Sequence, residues 1–133
     1  MCVDLRTKEL MRYRMALLHG CYVCRTFDAE DALQAGVTQE QIDNMMNPTA
    51  EHFDEKDLAA IELVDQIQMK NPEGEISKDL YTRLSKYYSD KEIVEMGVTL
   101  GVVAGAVKFF FVANLVTKEG ACPIMQPPVA EAV

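Results

Sequence analysis

The sequence has no tryptophan, two histidines, and only five tyrosines and five phenylalanines. So few flat side chains leave little from which to build a stacking platform for bases. Basic residues are also scarce: 13 Lys+Arg stand against 21 Asp+Glu, for a net charge of −8. A surface of that sign repels phosphate backbones, which excludes nucleic acid as the expected partner. Long hydrophobic runs are missing too. The longest uncharged stretch, Met96 to Val107, is twelve residues, short of the about 20 that cross a bilayer, so no membrane is expected. The opening Met1-Cys2-Val3-Asp4-Leu5-Arg6 is mixed and charged with no apolar run behind it, and reads as no export signal. Four cysteines in that setting read as thiols of a reducing compartment, and a cytoplasmic location is expected.

What is present is an ordinary globular balance. The 133 residues are 49% apolar and 26% charged, enough for one domain with one modest core and too apolar for general disorder. The pattern is helical nearly throughout. Met11, Met15 and Leu18 fall at i, i+4, i+7 in a stripe that predicts an amphipathic helix over Val3 to Leu18, closed by Gly20. A second helix is expected from Cys21 to Gln34. Thr38 and Gln41 form a capping box for a short third, which Asn47-Pro48 stops. Leu58, Ile61, Leu63, Val64 and Ile67 mark a long helix from Phe53 to Lys70, closed by Asn71-Pro72-Glu73-Gly74. Ser77 caps a short one, and Ser89 with Glu92 opens a last helix reaching Leu115. Gly97, Gly101 and Gly105 line one face of that helix, a spacing that predicts close approach of a neighbouring helix. The fold class is all-α: a single helical domain over 1–116, then an extended tail over 117–133 with Pro123, Pro127 and Pro128.

Cys21-Tyr22-Val23-Cys24 is the one motif with sharp chemical content. Three residues along a helix leave the two sulfurs about 60° apart on one face, and a helix start can bring such a pair within disulfide reach. Free N–H groups and the positive dipole end there also favour a thiolate. Asp28 shares the face of Cys21 and could relay a proton. The residues alone leave three readings open: a redox dithiol, half of a metal site, or two inert core cysteines. No second CxxC exists, and His19 and His52 do not stand at zinc-finger spacing.

Glu9, eleven residues, then Cys21-x-x-Cys24 resembles the signature of the alkylhydroperoxidase D-like branch of the carboxymuconolactone decarboxylase family. The likeness extends through "KELMRYRMALLHGCYVC", "DAEDALQAGVTQEQIDNM", "DLAAIELVDQIQ" and "SDKEIVEMGVTLGVVAGAVKFF", roughly residues 5 to 113. It implies an all-helical fold assembled as a homo-oligomer, a trimer or hexamer, without a bound cofactor or metal. It also implies a peroxide or small-molecule substrate reduced by the dithiol, and a dithiol or lipoyl-type protein as electron donor. The implied catalytic set is Cys21, Cys24, Glu9 and Asp28. Two departures stand out: the fullest signature has a histidine just before the second cysteine, where this chain has Val23, and another four residues after it, where this chain has Asp28. Asp28 can move a proton near neutral pH only with a pKa well above the usual carboxylate value. Glu9 reaches the cysteines only if the chain breaks at His19-Gly20 and folds back.

Two rival functions follow. One is a carboxymuconolactone-decarboxylase-like lyase or isomerase acting on a small cyclic acid; the other is a non-catalytic redox-sensing or metal-binding module. The remaining candidates have plainer expected roles. His19 is read as a cation favoured by the C-terminal helix dipole, His52 as part of a solvated turn, and Arg12 and Arg14 as surface residues. Met11, Met15, Met45, Met46, Met69 and Met96 are read as core filling, Tyr87 and Tyr88 as a subunit contact, and Cys2 and Cys122 as terminal thiols without partners.

Overall fold

Side-chain caps set where each element begins. The computed structural model describes residues 2–115, leaving out the side chains of Tyr22 and Val23. Among the described residues six helices follow one another: α1 (Leu5–His19), α2 (Tyr22–Gln34), α3 (Gln39–Asp43), α4 (Glu55–Ile67), α5 (Lys78–Ser85) and α6 (Asp90–Val112). Their N-caps are Asp4, Cys21, Thr38, Asp54, Ser77 and Ser89, each accepting the backbone N–H three residues on. Thr38 with Gln41 and Ser89 with Glu92 form full reciprocal boxes. Asp54 explains why α4 starts two residues later than its apolar pattern suggests.

Helix α1 is the central element and packs against α2, α4 and α6. One side contributes Met11 and Met15 to a cluster with Leu63 and Val64 of α4, Leu80 and Leu84 of α5, and Met96 and Leu100 of α6. The other contributes Leu10 and Tyr13 to a cluster with Ala32, Val37, Ile42, Met45, Phe53 and Ile61. Each fully buried large apolar side chain contributes roughly 1.5–3 kcal/mol. Polar pins fix the register. Arg6 grips the buried Asp57 with two bonds of 2.9 Å. Arg14, read from sequence as a surface residue, is buried: it donates to Asp65 at 2.9 Å and to the Met45 and Met46 carbonyls at 2.7 and 3.0 Å. His19 is buried as well, its Nε2 accepting the Met69 N–H at 3.2 Å. That acceptor role requires a neutral imidazole, so His19 ties α1 to the chain beyond α4 and is no dipole-paired cation.

Other expectations are corrected by packing. Among the described residues the glycine stripe of α6 meets no helix: a Cβ at Gly97, Gly101 or Gly105 would find nothing within 4 Å. Val94, Val98, Val102, Phe109 and Val112 on the same helix are exposed, while Ile93, Met96, Leu100, Ala104 and Val107 are buried. By length and composition α6 is apolar enough to cross a membrane, with mean hydropathy 1.7 and 28% of that window buried. The uncharged run inside it is a narrower measure than the helix itself. Tyr88 lies in the core beneath Lys56, not at the surface, and exposed Tyr87 donates to Glu55 at 2.9 Å. Met46 and Met69 are exposed, unlike Met11, Met15, Met45 and Met96. The expected tail over 117–133, and Cys122 within it, lie outside the described residues.

Gly20 ends α1 in the left-handed region (φ 66°, ψ 35°), its N–H bonded to Ala16 and Leu17 carbonyls. Only glycine adopts this without strain. Gly20→Ala is therefore expected to cost about 1–2 kcal/mol in urea unfolding; an unchanged midpoint would contradict the assigned turn.

Candidate dithiol site

The turn at Gly20 hands the chain directly to the dithiol. Cys21 is extended (φ −90°, ψ 108°) and is the N-cap of α2, its Sγ accepting the Cys24 N–H at 3.2 Å. A sulfur thus holds the position that oxygen holds in the other five caps, where an N–H donor and the positive helix end both favour negative charge. Cys21 and Cys24 are joined as a disulfide, with Cα atoms 5.3 Å apart, inside the usual range of about 4.4–6.8 Å.

The two sulfurs differ in access. Cys21 is 1% exposed and packs with Val107 of α6, with Phe110 and Phe111 beside it. Cys24 is half-buried and lines a cleft of about 280 Å³ together with Arg12, Phe27, Asp28, Val103, Ala106, Val107 and Phe110. The first cysteine sits at the α1–α2 corner under α6, and the next helical turn carries the second toward the opening. The cleft exists because α2 and α6 both lean on α1 without packing their helices on each other.

Asp28 stands one helical turn after Cys24 on the same face of α2 and is 9% exposed. Burial raises its pKa to about 7; Arg12 opposes the rise, and Glu9 and Asp31 reinforce it. The condition the sequence placed on Asp28 as a proton carrier is met by its surroundings.

Glu9 is connected indirectly. It lines a neighbouring cleft with Leu5, Asp31, Gln34 and Ala35, not the one that holds Cys24. Its link to the dithiol is Arg12, whose guanidinium lies 2.7 Å from Glu9 Oε2, 3.3 Å from Asp28 Oδ1 and 2.5 Å from Asp31 Oδ2. Arg12 is half-buried within this chain rather than a plain surface cation. Asp31 was not singled out from the sequence. The available signal was a pair of i,i+3 charge spacings, Glu9/Arg12 on α1 and Asp28/Asp31 on α2, which gain meaning only once the two helices fold together.

The remaining candidates lie apart. Across Val107 a cleft of about 190 Å³ is lined by His19, Met69, Lys70, Val107, Lys108 and Phe111, with neither cysteine among its walls. His52 meets Glu40 at 3.0 Å, and Cys2 is an exposed free thiol. The Val23 side chain lies outside the described residues. Among the described residues no group of three or more His, Cys, Asp or Glu side chains is arranged to hold a metal.

Residues 3–66 match the model of the carboxymuconolactone decarboxylase family. The uncharacterized protein YdfG of Bacillus subtilis (strain 168) is 24% identical over 95 residues, 71% of this chain and 64% of that protein. This chain thus aligns with less than two thirds of that relative's length. A crystal structure from Agrobacterium tumefaciens, of a protein of unknown function put forward as an antioxidant defence protein AhpD, superposes with a TM-score of 0.74. The match covers 96% of this chain and 80% of that one at 21% identity, and so bears on the fold alone. The matched segment, just under half of the chain, holds α1, the Gly20 turn, the dithiol and Asp28; over it the chain is similar to the carboxymuconolactone decarboxylase family, and its helical fold is similar to that of the Agrobacterium protein.

Proposed function

We propose that the protein is a thiol-dependent peroxidase that cycles Cys21 and Cys24 between dithiol and disulfide. The observation that carries this reading is the pairing, in one cleft, of an accessible sulfur, Cys24, with a buried carboxyl, Asp28, that titrates near neutrality. In the reduced form Asp28 accepts the Cys24 proton. The Cys24 thiolate attacks one peroxide oxygen; a sulfur–oxygen bond forms, the O–O bond breaks, and the departing alkoxide takes the proton back from Asp28. Cys21 then attacks the Cys24 sulfenic acid, forming the S–S bond and releasing water. The balance is two thiols and one hydroperoxide giving one disulfide, one alcohol and one water.

Resetting the pair needs two electrons from an external dithiol. Cys24 is the sulfur such a donor can reach, and attack there expels Cys21. The leaving thiolate is stabilised by its place at the α2 N-terminus and by the Cys24 N–H. A lipoyl-type or similar dithiol protein fits this requirement. Glu9 acts through Arg12 on the charge balance around Asp28 and not on sulfur directly. A second copy of the chain is the proposed cover for the exposed apolar face of α6, in line with the expected homo-oligomer. The lyase and isomerase reading gives the dithiol no task. The metal-clip reading lacks ligands beyond the two cysteines among the described residues.

The order of attack is testable. Cys21→Ser is expected to keep a peroxide-reactive Cys24 and to trap it as a sulfenic acid, seen as a dimedone adduct at Cys24 by mass spectrometry. Cys24→Ser is expected to give none at Cys21. An adduct at Cys21 in the second variant would reverse the assignment, and full activity of both variants would favour the lyase.

Asp28 also leaves a mark on stability. Its folded pKa is raised above its unfolded value, so folding favours the protonated form. The associated stability is complete below about pH 4 and is lost as pH rises through about 7. Asp28→Asn removes that dependence. Its melting temperature is expected to exceed that of the wild type at pH 8 and to match it near pH 4. A variant less stable at pH 8 would contradict a buried, proton-holding Asp28.

A further inference from the structure

One guanidinium serves three carboxylates at this site, and it does so unequally. The Nη2 of Arg12 contacts both Glu9 Oε2 at 2.7 Å and Asp31 Oδ2 at 2.5 Å, while Nε turns toward Asp28 Oδ1 at the longer 3.3 Å. Exposure follows the same order. The Asp31 side chain is 50% exposed and remains solvated, whereas the Glu9 and Asp28 side chains are 15% and 13% exposed. With one cation among three carboxylates, full ionisation leaves two uncompensated negative charges, which a partly buried cluster resists. The carboxylate that is both deeply buried and most distant from the cation is Asp28, the one that opens onto Cys24.

We propose that Arg12, anchored from outside by Asp31, is a positioning residue of the dithiol site. It divides a single positive charge between Glu9 and Asp28 and so decides that the mobile proton resides on the carboxylate facing Cys24. This rests on the peroxidase reading of the cleft and extends it to the regulation of its proton.

The groups that face Asp28 are few. Helix α1 contributes Arg12 and Glu9, and α2 contributes Asp31 and Cys24. The walls from α6 are apolar, Val103, Ala106, Val107 and Phe110. Arg12 is the cation that opposes the rise at Asp28. It is not free to bind an acidic substrate, because its charge is already met by three carboxylates. The arrangement therefore points inward, to the protonation of the cleft.

The test uses two substitutions of opposite sign. In the reduced full-length protein, the Asp28 carboxyl is titrated by carbon-13 NMR, which needs no turnover, and the pH profile of hydroperoxide-driven thiol loss is measured alongside. Arg12→Gln removes the cation and is expected to move the Asp28 midpoint upward by about one pH unit or more. Asp31→Asn removes a neighbouring anion and is expected to move it downward by a smaller amount. Arg12→Lys, which restores charge without the planar fork, is expected to return the midpoint partway. Because Asp31 is half exposed, its variant keeps the test valid even if Arg12→Gln fails to fold. Opposite displacements support the proposal. No displacement in Asp31→Asn, or both variants moving the same way, overturns it. Opposite displacements in a protein that consumes no hydroperoxide would leave Arg12 in its role and remove the peroxidase reading instead.

Discussion

The left-handed residue at Gly20 is the constraint on which the site depends. It stops α1, satisfies that helix's last carbonyls and reverses the chain, so that the next residue, Cys21, becomes the cap of α2. Several consequences follow from that one turn. Cys21 acquires an N–H donor and a positive helix end. Cys24 arrives on the cleft side of α2. Asp28 follows one turn later, and the Glu9–Arg12 face of α1 is brought against the Asp28–Asp31 face of α2. A glycine and a backbone torsion thus precede all of the chemistry.

Burial and charge then divide the labour among groups that look alike in sequence. The two cysteines differ because α6 closes over one and not the other. The three carboxylates differ: Asp31 is half exposed and takes the Nη2 hydrogen bond, Glu9 lies 2.7 Å from Nη2 with no hydrogen bond at Oε2, and Asp28 is buried at the longer 3.3 Å. That last condition lets an aspartate hold a proton near neutral pH, as an imidazole does in ordinary surroundings.

What could be read from the sequence was local. The Thr38/Gln41 and Ser89/Glu92 boxes, the Gly20 stop and the placing of Asp28 on the face of Cys21 depend on neighbours within one or two turns, and the spacing of residues encodes them. What could not be read depends on distant packing. His19 meets a backbone amide fifty residues away, and Arg14 reaches carbonyls at Met45 and Met46. The glycine stripe of α6 has the spacing of a close helix contact but meets no helix among the described residues. Periodicity reports which residues share a face and not what that face meets. Arg12 belongs with these: its three partners are spread over two helices, and only folding gathers them.

The central claim is that Cys21 and Cys24 are oxidised together by a hydroperoxide. Its most direct measurement is a count of free thiols in the fully reduced wild-type protein before and after one equivalent of hydroperoxide per chain. The chain holds four cysteines, and the account predicts a fall from four thiols to two, with Cys21 linked to Cys24 in the peptide map. An unchanged count, or a loss confined to Cys2 and Cys122, would contradict it.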